Sequence, residues 1–386
     1  MAEITGTVKS ETLFGDRNDF AENDVIKGLG GDDELYGLGG TDILAGGDGN
    51  DWLDAGTGDN ESLYGENGND TMLGSGINDM RGGAGDDLYY VNHASDTVLE
   101  EPNEGVDVVR TSVSYSLELS GFIETLVLEN GATNGTGNGI DNEIWGNAAN
   151  NFLSGKDGND VIRAGDGNDI VEGGNGNDNL DGGSGNNQLF GGNGHDVYFI
   201  GNATTAVFES ASEGHDGVRS TVSYTLTANV EDLALDGTAA IHGTGNSLDN
   251  AIYGNAASNS ISGGAGNDYL VGGMGSDTLT GGAGKDAFAF ATPREGIDTI
   301  KDFKVADDDF YITRSGFGAG LTAGYITTDQ FRLGSSAQDG SDRFIYNKGT
   351  GAVYFDADGL GGAAQVQIAK ISTGLSLTNK DFFVGG

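Results

Sequence analysis

The amino-acid sequence predicts an all-β fold, a parallel β-solenoid or β-roll with an antiparallel β cap at its C-terminal end. Three observations predict it. Glycine-rich units of nine residues repeat in tandem, five of them without interruption from Gly155 onward. An apolar residue returns at the eighth position of each of these units, as Ile162, Val171, Leu180, Leu189 and Tyr198. After about residue 290 this rhythm stops, and alternating apolar segments typical of antiparallel strands begin.

Each nine-residue unit predicts one turn followed by one short strand. A strand of three residues, such as 161–163, is too short to be stable alone, but the next copy can pair with it ~4.8 Å away. Two units then close one coil of eighteen residues, with position eight pointing inward. The aspartate at position six of one unit therefore lies over the aspartate two units later. Asp160 is expected over Asp178, and Asp178 over Asp196.

The sequence divides into six predicted segments. These are a glycine-rich roll at 1–90, a strand-rich insert at 91–136, a second roll at 137–199, a second insert at 200–244, a third roll at 245–289 and the cap at 290–386. In the first roll the position-six series keeps the step of nine to Asp51 and then slips, with one step of ten and one of eight, across Asn60, Asp70, Asp79 and Asp87. A longer repeat links GTGNGIDNEIWGN at Gly135 with GTGNSLDNAIYGN at Gly243, 108 residues later. Within the cap, RFIYNKGTGAVYFD at 343–356 predicts a β-hairpin.

Composition points toward metal cations as partners. Asp and Glu number 60 against 18 Lys and Arg, so the formal net charge is −42. Such a chain repels itself unless cations neutralise it, and it is a poor partner for nucleic acid or an anionic membrane. The absence of cysteine excludes disulfides and thiolate zinc sites. The sequence contains no apolar run of the ~18 residues needed to span a membrane.

The predicted stacking of carboxylates favours calcium among those cations. A row of like charges is unstable without counterions. Glycine-rich turns expose main-chain carbonyls, and carboxylates together with carbonyls form the oxygen shell of roughly 6–8 ligands that calcium prefers. Magnesium demands tighter octahedra and keeps its waters, whereas zinc prefers nitrogen or sulfur. The sequence therefore predicts several Ca²⁺ ions bound in the turns.

The units resemble the GGxGxDxUx motif of the RTX family, the hemolysin-type calcium-binding repeat. This resemblance implies a parallel β-roll in which calcium lies between turns. Its ligands are the carbonyls of positions two and four and the Asp of one turn, with the carbonyls of positions one and three and the Asp two units later. The implied metal ligands are Lys156, Gly158 and Asp160 with Gly173, Asn175 and Asp178; Gly165, Gly167 and Asp169 with Gly182, Ser184 and Asn187; Gly174, Gly176 and Asp178 with Gly191, Asn193 and Asp196; Leu29, Gly31 and Asp33 with Gly46, Asp48 and Asp51; Gly264, Gly266 and Asp268 with Gly281, Ala283 and Asp286; and, in further turns, Asp42, Gly272, Met274 and Asp277.

Besides Asn187, asparagine stands at position six in the units where the second and third rolls begin, as Asn142, Asn151, Asn250 and Asn259. An amide offers a neutral oxygen, so these turns are expected to bind calcium weakly or not at all.

The C-terminal segment resembles the end of RTX proteins that are exported by type I secretion, particularly the serralysin-like C-terminal region. The matching stretches are DAFAFATPREGIDTIKDF, DRFIYNKGTGAVYFDADG and the terminal DFFVGG. The resemblance implies a type I secretion exporter as a partner and a secreted, extracellular protein. A capping domain that covers the open end of the roll is the structural alternative, and both roles are compatible.

No catalytic centre is predicted, because the sequence contains no HExxH, GxSxG or P-loop motif. The predicted function is a secreted calcium-binding protein that folds on binding calcium outside the cell. It would act as a structural, adhesive or interaction protein of a matrix or cell surface. Two alternatives stay open, a polysaccharide-binding repeat module and the non-catalytic tail of an RTX enzyme or toxin. Trp145 and Tyr253, at equivalent places in the long repeat, are candidates for stacking on sugar rings, with ordinary surface packing as the alternative.

Overall fold

The computed structural model describes residues 3–15, 22–318 and 320–386. It confirms the predicted fold class, because the chain is nearly all β and its strands form a parallel β-solenoid that ends in antiparallel strands. The chain divides into two compact units. The first comprises Met1–Val197 with Thr204–Phe208, and the second comprises Tyr198–Ala203 with Glu209–Gly386.

In the first unit, each coil contributes one strand to a long parallel sheet and one to a shorter parallel sheet on the opposite side. The long sheet contains, in order, Thr12–Phe14, Glu34–Tyr36, Trp52–Asp54, Thr71–Leu73, Leu88–Val91, Val108–Thr111, Thr125–Leu128, Glu143–Trp145, Val161–Arg163 and Asn179–Asp181. The opposite side has two sheets in succession. The first contains Glu3–Thr5, Val25–Gly30, Ile43–Asp48, Glu61–Asn67, Asn78–Ala84 and Thr97–Val98. The second contains Tyr115–Ser116, Asn134–Thr136, Phe152–Asp157, Ile170–Asn175, Gln188–Asn193 and Ala206–Phe208, and the short strands Gly39–Gly40 and Thr57–Gly58 pair separately.

The second unit repeats this arrangement and adds the cap. One sheet contains Gly217–Ser220, Asp232–Leu235, Ala251–Tyr253, Tyr269–Val271, Ala287–Phe290, Asp309–Thr313 and Phe382–Gly385 in parallel, with Gly324–Tyr325 antiparallel to the last strand. The other sheet contains Tyr224–Thr225, His242–Thr244, Ser260–Ala265, Thr278–Ala283, Asp298–Ile300, Val366–Lys370, Ala352–Phe355, Phe344–Asn347 and Phe331–Leu333. The remaining elements are the strand Val197–Ile200, the helix Arg314–Phe317 and the 3-10 turn Asn379–Asp381. Among the described residues, neither helical segment has the length and apolar character needed to cross a membrane.

Position eight of each nine-residue unit forms the core, as the sequence predicts. Ile162, Val171, Leu180 and Leu189 are fully buried, while the residues on either side of each are partly exposed. The short strands Val161–Arg163 and Asn179–Asp181 have one inward side chain each, and their main-chain bonds are made by the strands of the neighbouring coils. The core is one side chain wide, so each coil depends on its neighbours for burial.

The two segments between the glycine-rich tracts supply further coils of the same kind. Val108–Thr111 pairs in register with Leu88–Val91 on one side and with Thr125–Leu128 on the other. In the second unit, Gly217–Ser220 pairs with Asp232–Leu235 in the same way. The solenoid therefore continues through these segments without the glycine pattern.

The cap contains the predicted hairpin. Phe344–Asn347 and Ala352–Phe355 are antiparallel, with Phe344 opposite Phe355 and Asn347 opposite Ala352. Buried aromatic rings hold the cap together. Phe382 stacks on Phe310 with ring centroids 4.8 Å apart, and the tilted ring of Phe344 packs against it at 4.9 Å. The terminal strand Phe382–Gly385 is consequently an integral part of this core.

Candidate calcium-binding turns

The aspartates at position six are stacked as the sequence predicts. The Oδ1 atom of each accepts a hydrogen bond from the main-chain N–H of the position-six residue one coil earlier. The Asp160 N–H donates to Asp178 at 2.8 Å, and the Asp178 N–H donates to Asp196 at 2.7 Å. The same bond joins Asp33 to Asp51 at 2.7 Å. We call this column of carboxylates the acidic ladder.

The second carboxylate oxygen has no hydrogen-bond partner in many aspartates of the acidic ladder. Within the described residues, Oδ2 is buried and makes no hydrogen bond in Asp33, Asp42, Asp51, Asp70, Asp87, Asp160, Asp169, Asp178, Asp268, Asp277 and Asp286. A buried charged oxygen without a partner is costly, because desolvation is not offset. This repeated set of unpartnered oxygens indicates that a cation is the missing partner.

The glycine at position one leaves the space that these oxygens face. A Cβ atom built on Gly155 would lie within 3.0 Å of Asp160 Oδ2 and 2.7 Å from the carbonyl oxygen of Gly173. Asp160 Oδ2 and the position-one carbonyl of the next coil therefore converge on one point beside Gly155. Only a residue without a side chain leaves that point open, and both groups that border it offer hard oxygen ligands.

Burial without counterions raises the pKa of these carboxyl groups. Desolvation raises the pKa of Asp160 to about 7 and that of Asp178 to about 6, and neighbouring carboxylates add to the shift. In the second unit, burial raises the pKa of Asp268 to about 6. The charged form of each group is therefore disfavoured in the fold unless a cation is present.

The structure brings the predicted ligand turns together in the expected register. Lys156 lies opposite Gly174, Gly174 opposite Gly192, and Gly264 opposite Gly282. The predicted carbonyls of position three are already hydrogen-bond acceptors. The carbonyl of Asn175 accepts from the Gly158 N–H at 2.9 Å, and the carbonyls of Asp48, Ser184, Asn193 and Ala283 accept from the corresponding amides. A carbonyl oxygen has a second lone pair, so these groups keep the capacity to bind a cation.

Asn187 offers no free ligand atom, although it was a predicted ligand. Its Oδ1 accepts the Asp169 N–H at 2.8 Å, as an aspartate would. Its Nδ2 donates to the carbonyl of Gly182 at 2.6 Å, and that carbonyl is itself a predicted ligand. The Nδ2 atom of Asn187 thus occupies the place where the other turns hold an unpartnered carboxylate oxygen. In this predicted site, only Asp169 contributes a carboxylate.

The asparagine turns that open each later tract are closed by hydrogen bonds. Asn147, at position two, donates from Nδ2 to the carbonyls of Glu129 and Ala132 at 2.7 and 2.8 Å. The Nδ2 atoms of Asn142, Asn250 and Asn259 likewise donate to carbonyls of the preceding coil. In these turns a side-chain N–H therefore donates to the main-chain carbonyls, and the turns are stabilised without a charged partner.

Two residues in the first tract differ from the sequence assignment. Position six is occupied by Glu61 and Asn78, which are buried, whereas Asn60 is exposed and Asp79 is half-buried. The assignment of Asn60 and Asp79 was wrong because a one-residue insertion and a one-residue deletion shift the repeat on either side of Asp70. Both carboxylate oxygens of Glu61 are buried without a hydrogen-bond partner, and burial raises its pKa to about 7.

Sequence reasoning also missed ladder residues that lie outside the glycine pattern. Asp107 accepts the Asp87 N–H at 2.8 Å, and Asp298 accepts the Asp277 N–H at 3.0 Å. Neither residue follows a glycine-rich turn of standard length. The available signal was their distance from the previous ladder residue, which is close to one coil.

The donor set fits calcium. Every unpartnered ladder atom is a carboxylate oxygen, and the groups beside it are main-chain carbonyls. Calcium accepts such oxygen-only, irregular shells, whereas zinc would require nitrogen or sulfur. The residues that would hold the ions are the ladder aspartates with the carbonyls of the turns on each side.

Comparison with known proteins agrees with this assignment. The chain matches the family profile described as RTX calcium-binding nonapeptide repeat (4 copies) at residues 20–53, 45–80, 55–89, 136–171, 145–180, 172–202, 244–279 and 253–288. No curated protein matches the chain. Among solved structures it is similar to the extracellular lipase LipA from Serratia marcescens, with 17% sequence identity and a TM-score of 0.18. That match covers 73% of this chain and 45% of the lipase, so the chain spans less than half of that protein's length.

Proposed function

Because the chain carries RTX calcium-binding nonapeptide repeats, we propose that it is a secreted protein that folds when its buried carboxylates bind calcium outside the cell. In this proposal it acts as a structural, adhesive or interaction protein and has no catalytic centre. The function resides in the calcium-loaded solenoid, which presents long parallel sheets to a matrix, a cell surface or an extracellular polysaccharide.

One observation carries the proposal, namely the buried, unpartnered oxygens of the acidic ladder. The chain has a formal net charge of −42. The fold stacks many of its carboxylates in a column, in which each carboxylate lies one coil from the next. Without cations, folding would bury these carboxylates against one another around a core only one side chain wide. Calcium binding supplies the missing attraction, so its free energy becomes free energy of folding.

The location follows from calcium concentration. Calcium modules of extracellular proteins work in the ~10⁻⁴–10⁻³ M range, far above the range of cytosolic sites. Such sites stay empty in the cytosol, and the chain remains unfolded and fit for passage through a type I exporter. After export, the same ligands bind calcium and drive folding.

The C-terminal strand has two roles in this proposal. The segment DFFVGG is the export signal while the chain is unfolded. In the folded protein its Phe382 and Val384 are fully buried and the strand pairs with Asp309–Thr313. The signal is thus withdrawn into the cap once folding is complete.

The calcium part of the proposal is tested by far-UV circular dichroism during calcium titration. In chelator the spectrum should be that of coil, and calcium should restore the β signal at concentrations where magnesium does not. A full β spectrum in chelator at neutral pH would refute calcium-driven folding.

The export part is tested in cells that carry a type I exporter. Deletion of Asp381–Gly386 should keep the protein inside the cell. The control is Phe310→Ala, which removes a ring that stacks on Phe382 and so damages the same cap without altering the signal. Export of the truncated chain, or retention of both variants alike, would contradict the role given to the terminal segment.

A further inference from the structure

A cluster of carboxylates lies where the first glycine-rich tract ends. The last unit of that tract begins at Gly82 and contributes Asp87 to the acidic ladder. The following segment has no glycine-rich turn, yet it brings Glu100, Glu104 and Asp107 to the same place. Asp87, Glu100 and Asp107 are at most 2% exposed.

The contacts aim these groups at one point beside Gly82. The Asp87 N–H donates to Asp107 Oδ1 at 2.8 Å, while Asp87 Oδ2 is buried without a partner and lies within 3.0 Å of where a Cβ on Gly82 would stand. Glu100 Oε1 accepts the Gly82 N–H at 2.7 Å and also the hydroxyl of Tyr89. In turns such as that of Gly155 this point is bordered by a position-one carbonyl of the next coil, whereas at Gly82 the Tyr89 hydroxyl borders it and Glu100 binds both that hydroxyl and the Gly82 N–H.

The cluster has an excess of negative charge. Burial, together with the neighbouring carboxylate of Asp107, raises the pKa of both Asp87 and Glu100 to about 8. In the described part of the chain, none of Asp87, Glu100, Glu104 and Asp107 forms an ion pair with a lysine or arginine. A hydroxyl and main-chain amides are the donors that face Glu100, and they do not neutralise the charge.

The last nine-residue repeat in the second compact part of the chain holds a comparable set of carboxylates. The Asp286 N–H donates to Asp308 at 3.2 Å, as that of Asp87 does to Asp107. The carboxylate of Asp302 accepts the N–H groups of Gly281 and Gly282 at 3.0 and 2.9 Å, as Glu100 does at Gly82. Here, however, the ammonium group of Lys304 donates to the carbonyl of Gly282. Asp286 Oδ2 still has no hydrogen-bond partner, so this ammonium group contacts the turn without filling the place of an ion.

We propose that Asp87, Glu100 and Asp107 form a calcium site outside the nonapeptide pattern. The site offers two buried ladder carboxylates and a third from Glu100, so its oxygen-rich and strongly negative character suits Ca²⁺. The same residue types recur in the sequence 109 residues later, as Asp196, Glu209 and Asp216. This inference rests on the proposed calcium-dependent folding and adds a site that the nine-residue motif does not encode.

The test compares Glu100→Gln with Glu101→Gln by counting bound calcium. Glutamine at position 100 keeps an oxygen to accept the Gly82 N–H, so the fold is retained while the charged ligand is lost. Glu101 is exposed and provides the same change of charge one residue away. Native mass spectrometry and equilibrium dialysis at saturating calcium should show one ion fewer per chain in Glu100→Gln and the wild-type number in Glu101→Gln.

The outcomes separate this inference from the function on which it rests. A wild-type chain that binds no calcium refutes the proposed function itself. A wild-type chain that folds with calcium, while Glu100→Gln binds the same number of ions with the same affinity, refutes only the additional site.

Discussion

Asp178→Asn is the sharpest perturbation of the acidic ladder. Asp178 serves two predicted sites, since it accepts the Asp160 N–H and its own N–H donates to Asp196. Asparagine has nearly the same shape, and Asn187 shows what it does in this position. Its Oδ1 keeps the ladder bond, and its Nδ2 turns to the position-one carbonyl of its own turn. The variant therefore removes one charged ligand and blocks a carbonyl while leaving the main chain unchanged.

The expected effect changes sign with calcium. Burial raises the pKa of Asp178 from 3.8 to about 6, a shift of ~2 pKa units. At ~1.36 kcal/mol per unit, the ionised group destabilises the calcium-free fold by about 3 kcal/mol near neutral pH. Asp178→Asn relieves this cost in chelator. In calcium, the variant loses a buried ionic partner, a change that usually destabilises by about 3–5 kcal/mol.

The assay is far-UV circular dichroism at pH 7.5, with calcium as the titrant in one series and sodium sulfate in chelator in the other. Asp178→Asn should need more calcium than the wild type but less sulfate to reach half of the β signal. Glu172→Gln is the matched control, because Glu172 is an exposed carboxylate six residues earlier. An unchanged calcium midpoint, or equal shifts in the two variants, would refute the register assigned to the ladder.

Three further predictions test the turns. First, in chelator the protein should gain β signal in circular dichroism as the pH falls from 7.5 to about 4.5. The pKa of Asp160 in the fold is raised to about 7, so the folded state binds more protons than the unfolded state in that window. A loss of the β signal over this range would contradict this prediction. Second, Gly155→Ala should raise the calcium concentration at the folding midpoint several-fold, since its Cβ would enter the space between Asp160 Oδ2 and the next coil. The control Gly139→Ala, whose Cβ would meet nothing within 4 Å, should leave the midpoint unchanged. Equal midpoints in the two variants would show that the open space beside Gly155 is not needed for calcium binding. Third, Asn147→Asp should lower the free energy of unfolding by about 1–3 kcal/mol in urea titrations with calcium, because the carbonyls of Glu129 and Ala132 lose their donor and face a carboxylate. A variant as stable as the wild type would show that these hydrogen bonds are dispensable.

Much of this architecture was predictable because it is periodic. The inward position eight, the stacking of Asp160 over Asp178 and the cap hairpin each follow from a repeat or an alternation that the sequence displays directly. A β-solenoid translates a step along the chain into a step in space, so equal spacing in sequence becomes a column in the structure. No long-range topology had to be guessed.

The parts that escaped prediction are those where spacing alone is ambiguous. Between Asp51 and Asp87 one coil has an extra residue and the next has one fewer, so Glu61 rather than Asn60 enters the ladder. Only the burial of the side chain in the structure distinguishes Glu61 from Asn60. Glu100 lies far from any glycine-rich turn, and its approach to Gly82 depends on how the following segment folds back. The sequence alone does not show that Phe382 and Val384 of the terminal DFFVGG are buried in the cap core, because their partners lie far away in the chain.

The asparagine-closed turns have a consequence for the order of assembly. A linear array of coils is limited by its first coil, which must close a loop before any neighbour stabilises it. Turns such as that of Asn147 make this closure with amide-to-carbonyl bonds and require no ion. They provide a starting edge at low calcium, and each later coil then adds to an edge that already exists. Under the proposed calcium-driven folding, the chain would separate initiation, which is encoded in neutral side chains, from elongation, which the calcium concentration would control.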